Sequence, residues 1–386
     1  MPEPRSLDWA QRLIRIDSTS RISNRPVIDL IAAEATRLGL DPQLCPNPDG
    51  TKANLLITVP AADGTRSGGV ILSGHSDCVP VDGQDWTSDP FTPEVRDGKL
   101  YGRGSADMKG YLGVLVTLLP DMIAARLTEP IHLAISYDEE PGCVGGEQIV
   151  RDIAERGLAP RAAVIGEPSM MRVITGHKSV TMGVATVRGR AAHSSLTNQG
   201  VNAIEYAARL IGFLREIGVS WRTEGPFDEG YEVMYSTIGT NLIHGGIVVN
   251  TVPQDCTFEF DFRTIPAVDM YATMDRIRAK AAELEAEMQA VDPATFLRIE
   301  ARVQVPGLGT DPDADVVALA HRLGGIPSTD QVTYGTEAGQ FSRAGMPAVV
   351  CGPGDIQVAH RADEFVPLEQ LVAAEEFVLS LIAELS

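Results

Sequence analysis

The sequence has 386 residues, with 32 Lys or Arg against 52 Asp or Glu, for a formal charge of −20. That balance excludes a nucleic-acid partner and disfavours an anionic membrane surface, because both need basic charge, whereas it suits solubility and a cationic substrate. At 44% hydrophobic and 22% charged residues the composition is that of a globular protein, long enough for two domains.

The opening residues, Met1-Pro2-Glu3-Pro4-Arg5, lead straight into an amphipathic pattern with no signal-peptide core, and no stretch approaches the ~20 apolar residues of a membrane span. A cytoplasmic protein is expected. The five cysteines (Cys45, Cys78, Cys143, Cys256, Cys351) are scattered and form no CxxC, which fits reduced thiols better than a zinc ribbon or a redox pair.

Along the chain, Leu7, Ala10, Leu13 and Ile14 fall at helical spacing, and a second helix is predicted from Pro26 to Leu38, stopped by Gly39. Short apolar runs follow at Leu55–Val59, Val70–Leu72, Ile131–Ile135 and Ala162–Ile165, with helical stretches at Gly110–Leu119 and Gly146–Arg156. Buried strands alternating with helices predict an α/β domain whose sheet is mostly parallel and flanked by helices. The middle differs. Two long helices, Asn202–Glu216 and Met270–Gln289, alternate with segments of period two at Val180–Val187 and Thr257–Arg263, which predicts a smaller α+β unit in the order βαββαβ. A helix at Ala314–Leu323, a strand at Ala348–Cys351 and a last helix from Pro367 to Leu385 return to the α/β style. The expected organisation is a catalytic domain of residues 1–175 and 306–386 carrying an inserted lid and dimerisation domain at 176–305.

The chemistry-bearing residues gather where strands end. His75 and Asp77 follow Val70–Leu72, Glu139 and Glu140 follow Ile131–Ile135, Glu167 follows Ala162–Ile165, and His360 lies on the loop beyond Ala348–Cys351. Asp107 precedes a helix in GRGSADMKG. Ligand sites in open parallel sheets form at the carboxyl ends of strands, so residues as distant as His75 and His360 converge on one pocket if the fold is as predicted. Taken singly, an HxD, an EE pair or a lone histidine has ordinary explanations; their joint placement is what points to a site. Two carboxylates ~4 Å apart repel by roughly 4 kcal/mol at an effective dielectric of about 20, so such a pocket needs cations. Two imidazoles with several carboxylates suit zinc, cobalt or manganese, and five ligands suit a pair of ions sharing a bridging carboxylate. Two phosphate-loop look-alikes are set aside: Gly102-Arg103-Gly104 lacks the third glycine of GxGxxG, and His244-Gly245-Gly246 lacks a following Lys-Ser/Thr.

GHSDCVPVDG, DWTSDPFTPEVRDGKLYGRGSADMKG, SYDEEPGCVGGEQIV, IGEPSMMRVITGHK and GRAAHSS resemble the dinuclear zinc amidohydrolases of the M20 peptidase family. Within that family LSGHSDCVP, QGVNAIE, YGTEAGQF and CGPGDIQVAHRADEF are most similar to the acetylornithine deacetylase branch, and the resemblance runs from about Leu7 to Leu385. It implies two divalent ions, Zn2+ or alternatively Co2+, held by His75, Asp107, Glu140, Glu167 and His360. Asp107 would bridge, with one histidine and one glutamate on each side. It further implies Glu139 as general base, Asp77 as the group that holds the His75 tautomer, and a cis peptide after Asp107. Some members have Asp where this chain has Glu167.

The inserted segment resembles the family's lid and dimerisation domain, which implies a homodimer in which His193 serves the neighbouring subunit's site. Arg263 and Asn250 are candidates for the substrate carboxylate; Gly335, Thr336 and Glu337 resemble a loop beside the substrate, with Glu337 facing its ammonium group. The expected reaction is hydrolysis of an N-acyl amino acid, N2-acetyl-L-ornithine foremost, in arginine biosynthesis. The alternatives are another deacylase of the family (a succinyl-diaminopimelate desuccinylase or an N-acyl amino acid hydrolase), a dipeptidase, or a non-catalytic binding protein on the same fold.

Overall fold

A computed structural model describes residues 3–386, so Met1 and Pro2 of the opening segment lie outside it. In chain order the main elements of the first half are α1 (Leu7–Ile14), α2 (Arg25–Arg37), β1 (Gln43–Pro46), β2 (Ala53–Val59), β3 (Val70–His75), α3 (Lys109–Ala124), β4 (Ile131–Ser136), α4 (Val144–Glu155) and β5 (Ala162–Pro168). The middle carries β6 (Val180–Arg188), α5 (Ala203–Glu224), β7 (Thr237–Gly245), β8 (Asp255–Arg263), α6 (Met270–Val291) and β9 (Phe296–Val305). The chain closes with α7 (Asp315–Arg322), α8 (Ala338–Arg343), β10 (Ala348–Gly352) and α9 (Leu368–Glu384).

The chain divides into two compact units. The first takes the described residues through Gly176 together with Leu308–Asp330 and Thr336–Ser386; the second takes His177–Gly307 and Gln331–Gly335. The short return of Gln331–Gly335 to the second unit includes a main-chain bond from the Gln331 N–H to the Gly230 carbonyl (2.9 Å).

The first unit is built on a six-stranded sheet of order β1-β2-β4-β3-β5-β10. The pairs β4/β3, β3/β5 and β5/β10 are parallel, while β2 runs antiparallel to β4 and β1 to β2. Every residue of β2, β3, β4, β5 and β10 is buried, which is why each reads as a continuous apolar run rather than an alternation. α3 is buried along most of its length, and α1 crosses it at Gly113, where a Cβ would stand 2.6 Å from the Ala10 nitrogen.

The second unit is an antiparallel sheet of order β7-β8-β6-β9 with α5 and α6 on one face. β8 shows the period of two directly: Cys256, Phe258, Phe260 and Phe262 point into the core while Asp255, Thr257, Glu259, Asp261 and Arg263 alternate outward. Each long helix begins at a side-chain cap. Asn202 accepts from the N–H groups of Ile204 and Glu205 (3.0 and 3.2 Å), and Asp269 from those of Tyr271 and Ala272 (2.8 and 3.2 Å). α5 runs two turns beyond its predicted end at Glu216. Gly218 suggests a stop, but it serves close packing instead, since a Cβ there would meet the Ile238 side chain at 2.8 Å, and Ile217 and Trp221 on either side are buried.

Gly113→Ala sets two effects against each other. Helix propensity favours alanine by ~1 kcal/mol, but overpacking against main-chain atoms that cannot yield costs about 1–3 kcal/mol. The clash is expected to win, so urea denaturation should show a net loss of about 1–2 kcal/mol; a gain in stability would mean that α1 is free to shift.

Candidate metal centre

All the strand-end residues singled out by sequence lie in the first unit, at the carboxyl ends of β3, β4, β5 and β10 or on the loop before α3. His75 is the last residue of β3 and is 1% exposed. Its Nδ1 donates to the Asp77 main-chain carbonyl (2.9 Å), which directs the Nε2 lone pair into the cluster. Asp107 precedes α3, and the Asp107–Met108 peptide is cis. One Asp107 oxygen lies 2.8 Å from His75 Nε2 and the other 3.1 Å from His360 Nε2. Glu167 Oε1 stands 3.6 Å from His75 Nε2, and Glu140 Oε2 stands 3.0 Å from His360 Nε2. The geometry thus sorts the donors into two sets, His75 with Glu167 and His360 with Glu140, and Asp107 presents one oxygen to each.

Glu139 sits next to the first set, its carboxylate within 4.8 Å of the donor atoms of His75 and Glu167. One of its oxygens accepts a hydrogen bond from the Cys143 thiol (3.1 Å). Asp77 differs in detail from its expected part. Its carboxylate is 3.6 Å from His75 Nδ1, beyond hydrogen-bond range, and the main-chain carbonyl orients the ring instead. The carboxylate accepts from the Glu139 and Glu140 N–H groups (3.1 and 3.3 Å) and from Ser20 Oγ (3.0 Å), so it fixes the backbone that presents those two glutamates.

The electrostatics of this pocket are those of crowded, buried anions. Burial, then Asp107, push Glu140 up to about 7, and burial drives Glu139 and Glu167 well above the usual carboxylate range. Hydrogen bonds to Asp107 and Glu140 push His360 up to about 11. Burial alone would lower His75, but its contacts with Asp107, Asp77 and Glu167 outweigh burial and raise it. Burial would likewise raise Asp107, yet the two imidazoles hold it below the ordinary range. Lys109, the cation nearest in sequence, is turned away to the Ile16 carbonyl (2.7 Å).

Two imidazoles set among so many carboxylates mark where positive charge is demanded. Two donors ~2.0–2.1 Å from a tetrahedral ion lie about 3.3 Å apart by geometry, and the donor separations of 2.8, 3.0, 3.1 and 3.6 Å scatter around that value. Donor chemistry and spacing both fit a pair of divalent ions.

The substrate candidates are placed differently. Glu337 is 1% exposed, packed against Ser73, Ser136 and Gly146, and burial pushes its carboxyl up to about 7. It lies within the interior of the first unit, not on a surface open to an ammonium group. Thr336 is also buried, its hydroxyl accepting from the Ala338 N–H (3.1 Å) at the start of α8. Gly335 groups with the second unit. In that unit Arg263 Nε donates to Asp261 Oδ2 on its own strand (2.7 Å). Asn250 ends an exposed loop that includes Ile247 and Val249, and His193 is exposed, its Nδ1 paired with Ser195 Oγ (2.8 Å). Sequence reading passed over Gln84, Arg103, Cys143 and Glu364. Their bonds run largely to main-chain atoms or to one another and leave no ligand spacing to read.

A sequence profile of peptidase family M20/M25/M40 matches residues 71–384. The acetylornithine deacetylase of Salmonella heidelberg (strain SL476) is 33% identical over 362 residues, 93% of this chain and 91% of that protein. The aminopeptidase PepT of Bacillus cereus ATCC 10987 aligns in structure with a TM-score of 0.72 at 22% identity, covering 99% of this chain and 98% of that one. The Bacillus subtilis YXEP protein, described as a dinuclear metal-binding peptidase from the M20 family, aligns with a TM-score of 0.67 at 14% identity, covering 99% and 98%. At those identities the two structures speak for the fold alone.

Glu337 generates a pH prediction for ion-free protein. Its folded-state value of about 7 exceeds the ordinary 4.5, so between these pH values the native state binds a proton that the unfolded chain has released. Its contribution to stability is therefore full below pH 4.5 and falls as pH rises to 7. Glu337→Gln should remove that fall. The stability of the variant relative to wild type is expected to rise by up to about 3 kcal/mol from pH 4.5 to 8 in urea titrations; a pH-independent difference would place the charge elsewhere.

Proposed function

This chain belongs to peptidase family M20/M25/M40, and on that footing we propose that it is a two-metal amidohydrolase that cleaves N2-acetyl-L-ornithine to acetate and L-ornithine. The observation that carries the reaction class is the Asp107 carboxylate standing between two imidazoles with Glu139 beside them. The substrate rests on the 33% identity with acetylornithine deacetylases over more than nine-tenths of the chain, and the acidity of the protein suits a cationic ligand. With that substrate go a place in arginine biosynthesis and in the cytoplasm.

In this reading His75 and Glu167 would hold one ion, His360 and Glu140 would hold the second, and Asp107 would serve both. Two Zn2+ ions there, or Co2+ in their place, would supply Lewis acidity for the acyl carbonyl and lower the pKa of the attacking water. Glu139 accepts the proton of that water on a carboxylate oxygen and delivers it to the leaving amine nitrogen. The Cys143 thiol occupies one Glu139 oxygen and so leaves the other for proton transfer. Asp77 keeps Glu139 and Glu140 in register by holding their N–H groups.

The molecule acts as a homodimer through its second unit. The partner subunit's His193 donates to the developing oxyanion. Arg263, whose Nε is taken by Asp261, offers its terminal nitrogens to the substrate carboxylate, and Asn250, on the loop at the opposite end of β8, is a second candidate for binding the substrate.

A panel of N-acyl amino acids and dipeptides ranked by kcat/KM on zinc-reconstituted protein tests the substrate. N2-acetyl-L-ornithine is expected to lead by at least about tenfold, roughly one ion pair's worth of discrimination, and chelator-treated protein to be inactive. A dipeptide or N-acetyl-leucine in first place would move the chain to another branch, and full turnover without metal would end the metal reading.

Glu139→Gln should keep its ions and lose about 10²–10⁴ in kcat. Mixing that variant with His193→Ala, also inactive, should restore about a quarter of wild-type activity, because half of randomly reassorted dimers are mixed and each carries one intact site. No recovery after verified subunit exchange would place His193 in its own subunit's site.

A further inference from the structure

We propose that Gln84, Arg103 and Glu364 form one positioning network that sets the distance between the two metal positions, an inference that rests on the metal reading above. Arg103 and Glu364 make a buried ion pair, each side chain 1% exposed, with Arg103 Nη1 2.6 Å from Glu364 Oε2. The same Glu364 oxygen accepts from the Gly104 N–H (3.1 Å), and the other accepts from the N–H groups of Ala106 and Asp107 (2.9 and 3.1 Å). Four donors fill the acceptor capacity of the carboxylate. The loop that presents Asp107 is thereby tied at three of its main-chain nitrogens to a single side chain.

The other arm reaches His360. Arg103 Nη2 donates to Gln84 Oε1 (2.6 Å), which also accepts from Trp86 Nε1 (3.0 Å), and Gln84 Nε2 donates to the His360 carbonyl (2.9 Å). His360 needs such an anchor: its backbone has φ 63°, a left-handed conformation uncommon for a residue with a side chain, and its ring is half exposed. Glu364 follows His360 by four residues, so the two ends of one short loop are fastened to the same guanidinium, one directly and one through Gln84.

A buried ion pair is a weak source of stability, because desolvating two charges consumes most of their attraction. Here it spans two loops that approach from opposite ends of the sequence and carry the bridging carboxylate and the outer imidazole. None of the three side chains touches the cluster donors, so they act as positioning residues. Groups that orient metal ligands are typically worth about 10–100-fold in metal affinity.

The network makes the two arms separable. Glu364→Gln keeps the shape but replaces an acceptor oxygen with a donor facing main-chain N–H groups. It loosens Asp107, which faces both imidazoles, so both ions should bind about 10–100-fold more weakly. Gln84→Glu keeps the acceptor for Arg103 and Trp86 and removes only the donor to His360. It should weaken one ion by about the same factor and leave the other unchanged.

Zn2+ titrated into chelator-stripped full-length protein against a chelating dye reads both affinities. Gly113→Ala serves as a control for destabilisation remote from the cluster and is expected to bind as wild type does. Wild-type affinity at both positions in Glu364→Gln, or equal weakening of both in Gln84→Glu, would overturn the network. If Glu364→Gln does not fold, the one-ion selectivity of Gln84→Glu decides alone. A wild-type protein that binds no zinc would instead overturn the metal reading, and the network with it.

Discussion

The arrangement of the first unit turns on one electrostatic constraint, the gathering of Asp107, Glu139, Glu140 and Glu167 in a largely buried space with only two imidazoles to answer them. Carboxylates so placed must be protonated, neutralised or forced apart. The surrounding structure forbids the last. Glu167 closes a buried strand, Asp77 grips the backbone of Glu139 and Glu140, and Asp107 is held by three N–H groups fastened to Glu364. A pocket that crowds its anions and then prevents their relaxation is preorganised for cations, and the cost of assembling it is borne by the sheet and its helices.

Much of this was legible in the sequence because parallel strands advertise themselves. Val70–Leu72, Ile131–Ile135, Ala162–Ile165 and Ala348–Cys351 read as apolar runs because both faces of that sheet are covered, and the acids and histidines fall just past their ends. The βαββαβ order of the second unit was readable from the change of period, seen plainly in the alternation of β8. The overrun of α5 past Gly218 was not, since a packing glycine and a terminating glycine look alike until the Ile238 side chain is in view.

Hydrogen bonds to main-chain atoms were the other blind spot. That Asp77 binds two backbone N–H groups while its own carbonyl orients His75, or that Glu364 binds three, depends on the path of the backbone and not on residue type. Glu337 illustrates the converse. Its neighbours in sequence suggested a substrate loop, whereas burial against Ser73 and Ser136 makes it an interior acid, and no spacing rule separates the two.

The split of the first unit around the second has a consequence for how the molecule is made. His75, Asp107, Glu139, Glu140 and Glu167 all emerge from the ribosome before any of His177–Gly307, while His360 emerges only after it. A nascent chain therefore holds most of the acidic cluster for the whole time that the insert is being synthesised, with β10 still missing from its edge beside β5. The final imidazole and the strand that protects that edge arrive together. Vectorial synthesis thus leaves an interval in which the half-built sheet offers both an unpaired strand and uncompensated charge, the state in which such a chain is most exposed to misassembly and would gain most from a chaperone.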